Sequence, residues 1–580
     1  MKTKLFLSFL FILSFSFTLL SQTYIRNVTI VDVEEQSLTP HQTIGIKNGL
    51  ITAIQHDKKT IVPDNANVIN GNGRYVVPGL TDAHIHFFQN GGLYARPDII
   101  DLRNEMPYQK EIDLSHQNMD NVLRRYLQNG ITNVIDVGSS VNFLKRKEQF
   151  KDKDYSPSIY MTGPLLTTYE PAVYKDLKDD TPFSLVKTVE DGVAMVQKQL
   201  PYHPDFIKIW YITSRDGSGI EASARKNLPI IKAIIDEAHK NNLKVTVHAT
   251  ERITAQLAVE NGCDFLVHSI EDEILKDDFV QLLKKNKTII CPTLVVQGGY
   301  INTFGQKLDF GNHELLKSDP YQLGSLLDLK HISDTLLVNR YKKSATSKKN
   351  LARFKKLDSI KMMNLKILSD AGVLIATGTD AGNIGTLHAS SYLAELKAMQ
   401  KSGMSTWQII QASTINGAKI LNKENEFGTV SIGKKANLVI LDKNPIENIE
   451  NITTVYRVVN KGIVFNPDEL IQDMPSDLVQ RQLNAYNFRN IEAFLEPYAE
   501  DVEVYTYSNK LQYKGKETMR KRYSKMFEVA VGLHCELKER IVQGNIVIDK
   551  EHVTFKDRAV EAVAIYHIEN NKISKVYFIN

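Results

Sequence analysis

Two histidines stand two residues apart in Val76-Val77-Pro78-Gly79-Leu80-Thr81-Asp82-Ala83-His84-Ile85-His86, at the end of an apolar run that follows a Pro-Gly turn. Side chains i and i+2 of a β-strand leave the same face, so both imidazoles can reach one metal ion. Four further groups of suitable type close strand-like segments downstream. They are Lys208 in Asp205-Phe206-Ile207-Lys208-Ile209-Trp210, His248 in Lys244-Val245-Thr246-Val247-His248, His268 in Asp264-Phe265-Leu266-Val267-His268, and Asp380 in Leu374-Ile375-Ala376-Thr377-Gly378-Thr379-Asp380. Neutral imidazoles and carboxylates suit zinc-like ions. A divalent ion lowers the pKa of bound water from about 16 to about 7, and a pair of ions can also polarise a carbonyl. The set therefore implies metal-assisted hydrolysis. A lone His-x-His is weak evidence, because a single histidine is more often an ordinary hydrogen-bonding residue; the whole ordered set is specific. Lys208 is its odd member. A cation would repel metal ions, so Lys208 belongs only if carboxylated, and otherwise reads as a strand-end lysine reaching for solvent.

Positioning these groups requires a succession of parallel strands. Over residues 79–426 strand-like runs alternate with helical patterns, as a closed parallel barrel demands. Gly130-Ile131-Thr132-Asn133-Val134-Ile135-Asp136-Val137 follows a helix, residues 230–240 read as a helix ahead of the His248 strand, and the interval from His248 to His268 suits one βα unit. Residues 299–360 break the rhythm with a polar, helical stretch, a candidate lid. Short alternating strands fill residues 24–77, with a hairpin signal at Lys47-Asn48-Gly49, and a matching β-rich block returns at residues 428–442 and 455–464. The simplest assembly is one split sandwich, residues 22–78 and 427–468, with the barrel inserted. From about Asp477 helices precede successive strands, which suggests an independent α+β domain over residues 475–580. The predicted class is α/β: a (β/α)8 TIM barrel with a split β-sandwich domain, plus a C-terminal α+β domain.

These segments, with Gly378-Thr379-Asp380-Ala381-Gly382 and Gly428-Thr429-Val430-Ser431-Ile432-Gly433-Lys434-Lys435-Ala436-Asn437-Leu438, resemble the amidohydrolase superfamily, specifically its binuclear members with a carboxylated lysine. The likeness spans about residues 24–466. It implies two divalent ions, zinc by first choice. His84 and His86 would bind the more buried ion, Lys208, carboxylated by CO2, would bridge both, and His248 and His268 would bind the second. Asp380 would ligate the buried ion and accept a proton from the bridging hydroxide. This part of the superfamily includes imidazolonepropionase-like and Xaa-Pro dipeptidase-like enzymes, which points to hydrolysis of a carbon–nitrogen bond in a small amide, cyclic amide or dipeptide. Lactone or phosphotriester hydrolysis is a second reading of the same centre. A third is an exported binding protein with a degenerate barrel, whose cone domain does the work. His388 is a candidate to orient substrate or Asp380, with a capping role equally open. Tyr94, Arg96 and Arg103 follow the first histidines and either contact substrate or brace that loop, and His239 falls inside a helix.

Residues 475–580 resemble SnoaL-like and ketosteroid isomerase-like domains, an α+β cone related to nuclear transport factors. The matches are Ala485-Tyr486-Asn487, Tyr498-Ala499-Glu500-Asp501-Val502-Glu503-Val504, Tyr513-Lys514-Gly515-Lys516-Glu517, Gly544-Asn545-Ile546-Val547 and Ile573-Ser574-Lys575-Val576-Tyr577-Phe578. The isomerase's carboxylate base would fall near Thr506, so that chemistry is not expected, and a pocket or dimerising module is.

Bulk properties agree with several globular domains: 580 residues, 42% hydrophobic and 24% charged. A net charge of +4 with no basic stripe gives no sign of a nucleic-acid partner. Lys2 and Lys4 precede an apolar run over residues 5–20, and polar sequence follows from Ser21-Gln22. That is the layout of a secretory signal peptide, expected over residues 1–21, and it implies an exported protein, periplasmic or secreted, without a membrane span in the mature form. Cys263, Cys291 and Cys535 are read as buried thiols rather than a disulfide framework.

Overall fold

The turn-punctuated strands on either side of residues 79–426 meet in one sheet. In the computed structural model, which describes residues 22–214, 217, 219–556 and 558–579, Tyr75–Pro78 pairs antiparallel with Leu438–Leu441, so that Val77 lies opposite Val439. The sheet runs Ile463–Phe465, Val455–Asn460, Leu438–Leu441, Tyr75–Pro78, Thr23–Asp32, Ser37–Lys47, Leu50–His56, and Asn67–Asn70 pairs with Thr23–Asp32. Ile25, Ile44, Val76, Leu438 and Ile440 fill its core. Gly79 passes the chain from this sheet to the next beneath Thr132, where a Cβ would fall 2.1 Å from the threonine hydroxyl. The leader-like segment lies outside the described residues.

Two parallel ladders follow. Leu80–Ile85, Ile131–Asp136 and Ser158–Met161 make one, and Phe183–Leu185, Leu165–Thr167, Phe206–Trp210, Lys244–His248, Phe265–Val267 and Ile289–Cys291 make the other. Residues 374–381 run between their ends: Ala376 N donates to Ile290 O (2.9 Å), Ala83 N to Thr377 O (2.8 Å) and Asp380 N to His84 O (2.7 Å). The barrel pattern expected from the sequence is thus built as two ladders joined by isolated bridges, not as one continuous sheet. Connecting helices such as Tyr108–Gln128 and Ile220–Lys240 turn Leu123, Tyr126, Ile231, Ile234 and Ile235 into the largest apolar core, consistent with their amphipathic spacing.

The stretch over residues 299–360 is helical, as expected, with Asn312–Lys317, Pro320–Ser325 and Thr335–Thr346 followed by the long Lys348–Asp370. It is not a free flap. Leu315, Leu323, Leu326 and Leu329 share one core with Leu478, Val479 and Phe494 of the C-terminal domain. Asn484 Nδ2 donates to Pro320 O (2.7 Å) and the Tyr321 hydroxyl to Asp477 Oδ1 (2.9 Å) across the same boundary. The C-terminal domain opens with the helices Pro475–Asn487 and Ile491–Leu495. Its six-stranded sheet runs Lys510–Lys514, Tyr498–Thr506, Lys572–Ile579, Arg558–Glu569, Ile546–Phe555, His534–Gln543. Cys263, Cys291 and Cys535 are buried free thiols. Among the described residues, no helix is long and apolar enough to cross a membrane.

Candidate active site

His84 sits inside Leu80–Ile85, His86 just beyond it, and Asp380 reaches both from residues 374–381. His84 Nε2 and His86 Nε2 are 3.3 Å apart, and Asp380 Oδ1 lies 3.2 Å from the first and 3.1 Å from the second. Ligands about 2.0–2.1 Å from a tetrahedral zinc stand roughly 3.3–3.4 Å from one another, so the triangle fits one ion. The protonation pattern favours that use. His86 Nδ1 donates to Gly138 O (2.7 Å), which turns Nε2 toward the triangle. Asp380 Oδ1 is buried without a hydrogen-bond donor. The carboxylate is presented by a left-handed backbone at Asp380, φ 57°, a conformation that costs energy outside glycine. Asn383 Nδ2 donates to Asp380 O (3.0 Å) and helps to hold that turn.

His248, His268 and Lys208 stand beside this triangle. The His268 ring centroid is 4.9 Å from that of His84 and 4.3 Å from that of His248. The Thr293 hydroxyl meets His268 Nδ1 at 2.7 Å. Lys208 is the middle residue of Phe206–Trp210, shares a face with Trp210, and is 1% exposed with no hydrogen-bond partner for its Nζ among the described residues. Burial pulls its pKa down to about 7, against the Asp380 carboxylate, so the neutral amine is well populated near neutral pH. Burial is also the main reason that His84, His248 and His268 stay neutral far below their ordinary pKa. The Lys208 charge comes next for the first two, and His248 for the third. An orphaned buried amine among neutral imidazoles and a carboxylate fits a cation centre, since unpaired buried polar groups are costly.

Of the remaining candidates, Arg96 and His388 brace the site, Tyr94 is tied to the insertion, and Arg103 and His239 lie outside it. The Tyr94 hydroxyl donates to Asp328 Oδ2 (2.9 Å). Arg96 grips Asp98 through Nε (2.8 Å) and Nη2 (2.6 Å), and its Nη1 donates to Asn383 Oδ1 and to the Tyr300 hydroxyl (3.2 Å). Arg96 therefore ties the loop after His86 to the turn that carries Asp380. His388 is stacked on Phe87 and lies between the Tyr126 hydroxyl (Nδ1, 2.9 Å) and Gln89 O (Nε2, 2.9 Å), so it fixes the backbone beyond His86 and does not reach Asp380. Arg103 pairs with Asp101 at the surface, and His239 pairs with Asp264 on the outside of its helix.

Two supporting carboxyls escaped sequence reasoning. Asp82 accepts from Thr379 N (3.0 Å) and Oγ1 (2.8 Å), and Asp136 accepts from Phe87 N and Gly138 N (3.0 Å each). Burial pushes both up to about 7. Asp136 carried the same signal as the other site residues, a polar group closing an apolar strand.

Comparison with known proteins agrees with this geometry. Residues 75–464 match the amidohydrolase family and residues 479–576 the SnoaL-like domain, so the chain belongs to the amidohydrolase family, with a SnoaL-like C-terminal domain. It is similar to the enamidase of Eubacterium barkeri, 26% identical over 264 residues that cover 43% of this chain and 57% of that protein. It is also similar to the imidazolonepropionase of Bdellovibrio bacteriovorus, 36% identical over 80 residues, 14% of this chain and 19% of that one. The chain spans less than two thirds of the length of each of these curated relatives. Among solved structures, a Xaa-Pro dipeptidase with bound methionine aligns with a TM-score of 0.58 at 21% identity over 77% of this chain and all of that one. The ochratoxinase of A. niger aligns with 0.59 at 18% identity over 77% and 96%. At these identities the structural likeness speaks for the fold, a TIM barrel with a separate C-terminal domain.

Proposed function

We propose that this protein is an exported, metal-dependent hydrolase of carbon–nitrogen bonds in small amides, cyclic amides or dipeptides. The observation that carries the reading is the 3.1–3.3 Å triangle of His84 Nε2, His86 Nε2 and Asp380 Oδ1. His84, His86 and Asp380 would hold one divalent ion, His248 and His268 a second, and Lys208, as its CO2 adduct, would join them; zinc suits this donor set. Bound there, the ions supply an activated water at neutral pH and polarise the scissile carbonyl.

The chain's own residues do the rest. Asp380 takes a proton from the attacking water and returns it to the leaving nitrogen as the C–N bond breaks, so that one amide and one water give a carboxylate and an ammonium. Asn383 and Arg96 keep Asp380 in the turn that makes this transfer possible. The Gly138 carbonyl keeps His86 in the tautomer that presents Nε2. The names of the relatives, imidazolonepropionase, enamidase and dipeptidase, support a carbon–nitrogen target. The Lys2 to Leu20 pattern supports export to the periplasm or medium. Ile541, Ile548, Ile565 and Tyr577, successive cross-strand partners on one face of the C-terminal sheet, support self-association of the chain.

The test is a hydrolysis screen with purified zinc-loaded protein against dipeptides, N-acyl amino acids and cyclic amides, with lactones and phosphotriesters alongside. Turnover of amides is expected. Turnover confined to lactones or phosphotriesters would transfer the centre to that chemistry, and no turnover of any class would end the hydrolase reading.

A further inference from the structure

The helical insertion delivers a buried cation to the end of the barrel where the site is built. Lys361, on Lys348–Asp370, is 6% exposed. It lies three residues before Asn364 and so on the same helix face. Asn364 Nδ2 donates to Ile270 O and Glu273 O (2.9 Å each) and its Oδ1 accepts from Leu275 N (2.8 Å), which seats this face on the loop leaving His268. Lys361 Nζ donates to Gln297 Oε1 (3.0 Å) and contacts Asp358 Oδ1 (2.8 Å). Gln297 lies in the first turn of the helix Val296–Phe304, which follows Ile289–Cys291, four residues past Thr293, whose hydroxyl meets His268. Lys361 thus sits on a helix face docked beside the segments that follow two parallel strands, Phe265–Val267 and Ile289–Cys291, at the strand ends where active sites of such barrels form. Its charge is felt at His268 and Glu271.

Two observations bear on what this placement could serve. Lys361 has three N–H groups and two partners, so one direction remains for another acceptor. Its charge is offset by Asp358 and is felt as well by the carboxyls of Glu271 and Glu395. On the other flank of the histidine pair, the Trp210 ring lies 6.0 Å from that of His248, 5.2 Å from Phe183 and 6.3 Å from Tyr169, an aromatic wall.

We propose that Lys361 receives a free carboxylate of the substrate, which narrows the substrates to amides that carry a carboxylate, with an apolar group against Trp210 and Tyr169. This rests on the amide-hydrolase reading above and gives it a substrate class. The experiment compares N-acetyl-L-phenylalanine with N-acetyl-L-phenylalaninamide, and Leu-Phe with its C-terminal amide, on the full zinc-loaded chain, scoring the amine released. The acids should have the higher kcat/KM, by roughly tenfold to a hundredfold, as expected for a hydrogen bond between charged groups. In Lys361→Met that ratio should collapse toward one through a raised KM for the acids, and Lys361→Arg should keep most of it. A ratio near one in the native chain overturns the proposal even if the variants fail to fold, and so does an unchanged ratio in Lys361→Met. Hydrolysis of neutral cyclic amides without hydrolysis of the acids overturns it while the hydrolase reading stands. Failure on every amide overturns both.

Discussion

Asp380 Oδ1 approaches His86 Nε2 to 3.1 Å, while the far side of the same imidazole is committed to Gly138 O at 2.7 Å. The two contacts together fix how the ring is turned. With Nδ1 turned to a carbonyl, Nε2 is the nitrogen that faces the carboxylate, and a ring that presents its lone pair there would complete the arrangement with a cation held between the two acceptors.

Removal of the side chain at Lys208 should uncouple metal binding from folding, because the flanking Ile207 and Ile209 keep their buried β-strand positions. Elemental analysis of the native chain should give about two zinc ions. Lys208→Ala should lose most of the metal and activity, with partial recovery in a small carboxylate at high concentration, while its circular dichroism stays native. Full turnover in Lys208→Ala would remove it from the centre.

Asp380→Asn preserves size and removes the proton acceptor. Turnover should fall by roughly two to four orders of magnitude, the usual share of a general base. A loss below tenfold with metal retained would assign the proton to another group. Asn383→Ala should give a smaller loss in kcat, because it loosens the Asp380 turn and leaves the carboxylate in place.

How much of this was legible in the sequence follows from the geometry of strands. His84, His86, Lys208, His248, His268 and Asp380 could be found because parallel strands lie side by side, so polar groups within or just beyond apolar runs are brought together wherever they lie in the chain, although Lys208 proves to be mid-strand and not at the strand end. The shared sheet of the two end segments was readable for a similar reason, since its alternating pattern is local. Lys361 was not readable: it sits mid-helix in a basic stretch, and its burial depends on how Asn364 docks on Ile270 and Glu273. Arg96 could be read either as a substrate contact or as a brace for its loop, and its bracing partner Asn383 was not readable because it is remote in sequence. The insertion looked like a lid because its Leu323, Leu326 and Leu329 face a domain that sequence periodicity treats as independent.

Inside that domain, Glu551 is 6% exposed, and it accepts from the Tyr566 hydroxyl (3.1 Å). Burial, with Asp549 adding to it, pushes its pKa up to about 7. The folded state therefore holds this proton more tightly than the unfolded chain does. The associated stability is complete below about pH 4.5 and is lost as pH rises through about 7, a change of roughly 3 kcal/mol at 1.36 kcal/mol per pKa unit. Glu551→Gln removes the titration, so its melting temperature relative to the native chain should be higher at pH 8 than at pH 5. An offset independent of pH would mean that Glu551 is ionised throughout.

The outer face of the same sheet carries the last expectation. Its register sets Ile541 opposite Ile548, Ile548 opposite Ile565, Ile565 opposite Tyr577 and Tyr577 opposite Tyr505. Cross-strand partners share a face, so these side chains form one apolar row, with Ile541 at its end 60% exposed. The opposite face is already used, because Val547, Ala564 and Tyr566 are buried against the domain's own helices. A half-packed sheet with an apolar row on its open side should pair with a second copy. Light scattering should give the native chain twice its monomer mass, and Ile541→Asp combined with Ile565→Lys should return it to one, with zinc content and turnover per chain retained. This variant isolates association better than removal of residues 473–580, which would bare Leu323, Leu326 and Leu329 of the insertion and lower the melting temperature for a separate reason. A native chain that stays monomeric at high concentration would leave the row without that role.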